Sequence, residues 1–139
     1  YFVGVSDGEP VCHLAVAPLF VANAYRATRL VVMPEWQGIG VGTKFLNAVC
    51  QYHLDGKGRR GLKLPVFFHT SHPQLCGALR HSSRWIQTGA RLYGDNKTRS
   101  AAAMRRSALK SPGGGKCATG YGGHFRAVQA FKYIGNADC

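Results

Sequence analysis

Hydrophobic and polar positions change period several times along this chain, and each change marks an element. Two runs rich in β-branched and aromatic residues, Tyr1-Phe2-Val3-Gly4-Val5-Ser6 and Val11-Cys12-His13-Leu14-Ala15-Val16, flank the turn formers Asp7-Gly8-Glu9-Pro10. That pattern predicts a hairpin over residues 1–18. A strand over 25–33 follows and stops at Pro34. Val41, Phe45, Leu46, Val49 and Tyr52 then recur at helical spacing, which predicts a helix over 42–54 with one face on a core. A strand over 62–69, a short helix after Pro73 and a strand opening at Trp85-Ile86 come next. Phe125, Ala127, Val128, Ala130, Phe131 and Tyr133 lack strict alternation, so a last strand over 125–134 reads as buried on both faces.

The strand ending at Pro34 is joined to the following helix by Gln37-Gly38-Ile39-Gly40-Val41-Gly42. Glycines allow a tight turn and close approach of a ligand to the backbone. The first amides of a helix have no partner within it, and its dipole adds about half a positive charge there. An anionic ligand is the natural guest. The dinucleotide fingerprint Gly-x-Gly-x-x-Gly fits poorly, because the third glycine is misplaced. The nucleoside-triphosphate loop fails: Gly56-Lys57-Gly58 and Gly115-Lys116-Cys117 lack both the following hydroxyl and the earlier glycine.

Leu30-Val31-Val32-Met33-Pro34-Glu35-Trp36-Gln37-Gly38-Ile39-Gly40-Val41-Gly42 resembles the acetyl-coenzyme A motif of the GNAT N-acetyltransferase superfamily: an apolar strand, a proline, then Gln/Arg-x-x-Gly-x-Gly/Ala. The order of predicted elements is similar over most of the chain. The resemblance implies a mixed α/β (α+β) domain whose largely antiparallel central sheet, flanked by helices, splays between two central strands to admit the pantetheine arm. It implies that Leu30, Val31 and Val32 line that arm through backbone groups, and that Gln37, Gly38, Ile39, Gly40, Val41, Gly42 and Thr43 wrap the pyrophosphate. Most of these positions supply peptide amides, so bulk at Gly40 or Gly42 should matter more than truncation at Ile39 or Val41. Trp36 packs or flanks the coenzyme.

The activity so implied is acetyl-coenzyme A-dependent transfer of an acetyl group to a primary amine, and the acceptor is not identified. The alternative is a noncatalytic module, binding coenzyme A or nucleic acid on a degenerate fold of this type. Transfer to an amine requires a neutral nucleophile and a proton for the leaving thiolate. The family often uses a strand Glu and a helix Tyr, but no acid here falls on a predicted central strand, and Arg80, His81 and Ser82 stand where the Tyr is expected. Histidine, which exchanges a proton near neutral pH, is the substitute. His69 and His72, where a central strand ends and the short helix begins, are the main catalytic candidates, with His81 a third. Two histidines without a third nearby ligand do not make a metal site, and no metal is expected. Ser71 reads as a cap for the helix that Pro73 enters. His13, His53 and His124 have no motif support.

Composition bounds the rest. A length of 139 residues, 45% of them hydrophobic, suits one domain. The opening Tyr1 falls inside a strand, so the expectation is an N-terminally truncated domain, with a fused upstream domain possible. No apolar run approaches the roughly 20 residues of a membrane span, and a cytoplasmic location is the default expectation. The five cysteines are scattered, with no Cys-x-x-Cys pair; Cys50 and Cys76 read as buried, inert thiols. Eighteen Lys and Arg against six Asp and Glu leave a formal charge of +12, which draws anions: coenzyme A, and also a nucleic acid or an acidic protein surface. Much of that excess lies in a region over 89–124, where Arg91, Lys97, Arg99, Arg105, Arg106, Lys110 and Lys116 face only Asp95. There a short helix over 100–110 and a Gly-rich linker read as a mobile basic flap.

Overall fold

A computed structural model of the chain describes residues 1–19, 22–58, 61–93 and 126–135. The chain divides into two units, Tyr1–Gly89 with Gln129–Cys139, and Ala90–Val128. Of the second, the described residues are strand ends only, and the helix and linker expected over 100–115 lie outside them.

Eight principal elements follow in order: β1 (Phe2–Ser6), β2 (Glu9–Leu19), β3 (Ala24–Val32), α1 (Val41–Leu54), β4 (Val66–Thr70), α2 (Pro73–Arg80), β5 (Trp85–Tyr93) and β6 (Arg126–Tyr133). A single 3₁₀ turn, Pro34–Trp36, precedes α1. The six strands form one sheet in the order β1-β2-β3-β4-β6-β5. The β1–β2, β2–β3 and β4–β6 pairs are antiparallel, and β3–β4 is parallel. The architecture is thus mixed α+β with a largely antiparallel sheet.

Local chemistry explains the boundaries. Asp7 and Gly8 both have positive φ, at 50° and 84°, the geometry of a two-residue hairpin turn, and Ser6 pairs with Glu9 across it. Pro10, expected in the turn, instead belongs to β2, where it pairs with Val5 beside a one-residue register shift that leaves Val11 unopposed. Such an irregularity accommodates a residue with no N–H to donate. α1 ends in a paired set of backbone bonds, Lys57 N–H to Tyr52 O at 3.0 Å and Gly56 N–H to His53 O at 3.1 Å, with Gly56 at φ 78°. This is the glycine-terminated cap that satisfies the last helical carbonyls. Strand β4 starts at Val66, later than the residue 62 expected: Pro65 has no N–H to donate, although its carbonyl accepts from Tyr25 N–H at 2.9 Å.

The core lies on one face of the sheet. Leu46, Val49 and Cys50 of α1 and Cys76 and Leu79 of α2 pack with Tyr25, Ala27, Val66, Phe68, Phe131 and Tyr133. Two polar tethers register α1 on the sheet: Trp85 Nε1–H donates to Asn47 Oδ1 at 2.7 Å, and Tyr133 O–H donates to Gln51 Oε1 at 3.1 Å. In β6 the inward residues are Phe131 and Tyr133 while Lys132 between them is half-buried, so the expected burial of both faces does not hold. Burial pushes the Cys50 thiol well above its ordinary range, which makes it inert.

His53 is the buried exception to this apolar core. It sits among the rings of Phe2, Tyr25 and Tyr52 at centroid distances of 5.5, 4.4 and 5.6 Å, and neither ring nitrogen has a hydrogen-bond partner. Burial lowers its pKa below the ordinary 6.5. The unfolded chain therefore takes up the proton first, so stability is complete above about pH 6.5 and falls as pH drops from there toward the lowered folded value. Thermal unfolding should show a melting temperature that declines between about pH 7 and about pH 5, and a shallower decline in His53→Phe. Identical slopes in the two proteins would contradict the burial of a neutral ring.

Candidate functional site

β3 and β4 pair over only three residues each, Tyr25 with Val66, Arg26 with Phe67 and Ala27 with Phe68. Beyond that point β3 continues to Val32 and β4 to Thr70 without facing each other in the ladder. The separation coincides with a β-bulge. Ala15 opposes Thr28 but His13 opposes Val31, so Arg29 and Leu30 together face Leu14, and Arg29 adopts φ 52°. A bulge adds twist and bends the strand that carries it. A non-glycine residue held in the left-handed region costs of order 1 kcal/mol or more, which the surrounding ladder to β2 must sustain.

The gap is a cavity of about 620 Å³, within the roughly 300–1,000 Å³ typical of small-molecule sites. Arg29, Leu30 and Val32 form one wall, and Phe68, His69 and Thr70 form the other. Trp36, Gln37, Gly38 and Gly40 with the first residues of α1, Val41, Gly42 and Thr43, close one end. Ser71, His72, Gln74, Leu75 and Ala78 at the start of α2 complete it. Of the cofactor-binding residues expected from sequence, Leu30, Val32, Gln37, Gly38, Gly40, Val41, Gly42 and Thr43 come together here. Val31 and Ile39 do not: Val31 is turned to the outer face beside His13 and Ile39 is exposed at the loop tip.

The glycines act for different reasons. Gly38 and Gly40 have φ of 81° and 83°, a conformation that side chains strain. Gly42 has ordinary helical backbone, but a Cβ there would lie 2.9 Å from Val32 Cγ2, so its role is close packing of α1 on β3. Gly40 caps α1 without a side-chain hydrogen bond, and the first intrahelical bond runs from Lys44 N–H to Gly40 O at 3.1 Å. The amides of Val41, Gly42 and Thr43 are therefore those that a helix leaves for an outside acceptor. Gln37 is committed elsewhere, since its Nε2 donates to Val32 O at 2.9 Å and ties the loop back to β3.

The three candidate histidines have separate fates. His69 lines the cavity, and its Nδ1 lies 2.7 Å from Arg26 Nη2. His72 also lines it but is the N-cap of α2, its Nδ1 accepting from Leu75 N–H at 3.4 Å. That corrects the expectation for Ser71; Thr70 assists, its Oγ1 accepting from His72 N–H at 3.1 Å. His81 sits at the opposite end of α2, with Nδ1 2.8 Å from Gly77 O, and is not among the cavity residues. Burial lowers the pKa of His69, and the Arg26 charge lowers it further, so the ring is neutral at physiological pH.

No Asp or Glu lines the cavity among the described residues. Asp7 is in the β1–β2 turn and Glu9 follows it, Glu35 is in the 3₁₀ turn, and Asp55 ends α1 bonded to Gln51 and Lys57. Among solved structures the chain is similar to N-acetylglutamate synthase from Neisseria gonorrhoeae complexed with coenzyme A and N-acetyl-glutamate, at 16% identity and a TM-score of 0.48. The match covers 92% of this chain and 24% of that one, so the chain spans about a quarter of that protein's length. No family model matches the chain, and no curated protein does.

Arg26 is the site residue that sequence reading missed. Its signal was a charged side chain between the buried Tyr25 and Ala27 of a strand. Its partner lies 43 positions away, across a parallel pair, where no local pattern reaches.

The packing role of Gly42 is directly measurable. Gly42→Ala should lower unfolding free energy by about 1–3 kcal/mol, as overpacking against a stiff β-branched neighbour does. A denaturant midpoint equal to that of the parent protein would show that Val32 gives way and that the contact is not limiting.

Proposed function

We propose that the protein transfers an acetyl group from acetyl-coenzyme A to a primary amine. The observation that carries this reading is the parting of β3 and β4 into a cavity that runs onto the glycine-capped start of α1. A coenzyme A molecule needs both features at once. Its diphosphate suits unpaired amides at a helix N-terminus, here those of Val41, Gly42 and Thr43. Its pantetheine arm carries two amides and suits a strand edge that has left its ladder, as the β4-facing edge of β3 has beyond Ala27. An arm so held runs back along β3 from its C-terminal end toward the last β3–β4 pair, Ala27 with Phe68, and brings the thioester near His69.

In this reading the protein works mainly by position. Holding the thioester and an amine in register supplies a large effective concentration, and groups already oriented toward the carbonyl stabilise the charge that develops there. The amine reacts as the neutral free base, its nitrogen attacks the thioester carbon, the C–S bond breaks, and the proton shed by nitrogen ends on the departing sulfur. Neither step requires a carboxylate, which suits a cavity whose described walls contain none.

A noncatalytic coenzyme A or nucleic-acid binding module is the second reading, favoured by that same lack of a carboxylate and by the formal charge of +12. Calorimetry with acetyl-coenzyme A, followed by thiol release against a panel of primary amines, separates the two. Saturable binding with amine-dependent thiol release is the expected result. Binding without release selects the module, and absence of binding removes coenzyme A from the account. Gly40→Val, which forces a β-branched residue to φ 83°, should weaken coenzyme A binding roughly tenfold or more, as about 1–3 kcal/mol of backbone strain would require.

A further inference from the structure

The pair formed by Arg26 and His69 is defined by chemistry as well as distance. A guanidinium has only N–H groups and never accepts a hydrogen bond, so at 2.7 Å the Nδ1 of His69 must be the acceptor. A neutral imidazole with a bare Nδ1 carries its one proton on Nε2. The nitrogen that His69 leaves for a ligand in the cavity is therefore a donor and has no lone pair for a proton.

The surroundings hold this state in place. Arg26 lies on the same face of the sheet as His69, alternating with the inward Tyr25 and Ala27. Lys132 of β6, paired with Phe67, is on that face as well, and Arg29 stands across the gap on β3. His72 is the other titratable group lining the cavity, and its Nδ1 is occupied by the cap of α2. No described carboxylate faces the ring to favour its protonation. Among the described residues the charge acting on His69 is that of Arg26, and burial together with that charge lowers its pKa.

We infer that His69 acts as a neutral hydrogen-bond donor to the thioester carbonyl rather than as a base, and that Arg26 is the positioning residue that fixes its tautomer. The inference rests on the acetyl-coenzyme A reading above. As the amine nitrogen attacks, the carbonyl π pair moves onto oxygen, and Nε2–H donates to that oxyanion. The pair then returns as the C–S bond breaks, and His69 ends with the proton it began with. The sequence-based expectation of an acid–base histidine at position 69 becomes that of an electrophile, a role that preorganised donors fill in many acyl-transfer sites.

The test has two parts, and the first does not depend on turnover. In protein labelled with ¹⁵N-histidine, long-range ¹H–¹⁵N spectra should show His69 protonated on Nε2 and bare on Nδ1 at neutral pH. Arg26→Met should convert it to a tautomer mixture, while Arg26→Lys, still a donor, should preserve it. A wild-type ring protonated on Nδ1 overturns the inference. In the second part, carbonyl-labelled [¹³C]acetyl-coenzyme A should show a downfield carbonyl shift on binding that is lost in His69→Leu and retained in part by His69→Gln. Where turnover is measured, kcat should fall roughly 10²–10³-fold in His69→Leu, as on removal of one oxyanion donor, but about tenfold or less in His69→Gln, with KM for acetyl-coenzyme A little changed. Equal losses in the two variants, or a bound carbonyl with no shift, overturn the role of His69 alone. Absence of any bound carbonyl signal overturns the coenzyme reading itself, which is a separate failure.

Discussion

Two neighbouring strands that start as a hydrogen-bonded parallel pair and then separate are the constraint on which the site depends. Backbone N–H and C=O groups ordinarily do not forgo a ladder partner, because leaving them unpaired is costly. β3 does so where Arg29 and Leu30 together oppose Leu14, a bulge that bends the strand while its other edge stays joined to β2. The pairing with β4 ends at Ala27, two residues before Arg29. What opens is a slot with a strand edge outside the β3–β4 ladder along one wall and the start of a helix at one end, a combination suited to a long anionic molecule with amides along its length.

The helices explain why the slot does not collapse. Both pack on the same face of the sheet, with α1 drawn tight against β3 by the absence of a side chain at Gly42 and tied to β5 and β6 through Asn47 and Gln51. Gln37 fastens the intervening loop to Val32. The glycine loop is thus held from both sides, and the amides at the head of α1 are oriented before any ligand arrives. Preorganisation of this kind lowers the entropic cost of binding and lets fixed dipoles act without rearrangement.

Electrostatics then restricts what the site does. The described walls carry one guanidinium, Arg29, two imidazoles and no carboxylate, so the proton inventory is set by hydrogen bonding rather than by ion pairs. His69 and His72 each accept at Nδ1, from Arg26 and from the backbone of α2, while His81, at the far end of that helix, donates from Nδ1 to a carbonyl. Three residues of one type occupy three different settings within about one helix length. Residue type and sequence proximity did not distinguish them.

Much of the fold was legible in the chain itself. Alternation and turn chemistry marked the hairpin at Asp7-Gly8, helical spacing marked α1, and the run from Leu30 to Thr43 announced a strand, a turn and a helix start shaped for an anion. These are short-range matters, decided by φ preferences, β-branching and the period of burial, and neighbours in sequence are enough to state them. The errors fell where distant residues intervened. Pro10 was taken into a strand through its neighbour β1, and His72 rather than Ser71 met the first amides of α2. Only the tertiary structure could decide the register of β3 against both its neighbours, and with it the bulge, the slot and the meeting of Arg26 with His69. The reason is physical: strand register and cross-strand hydrogen bonds depend on how separate segments pack, and a proton's place on an imidazole depends on which partner that packing delivers.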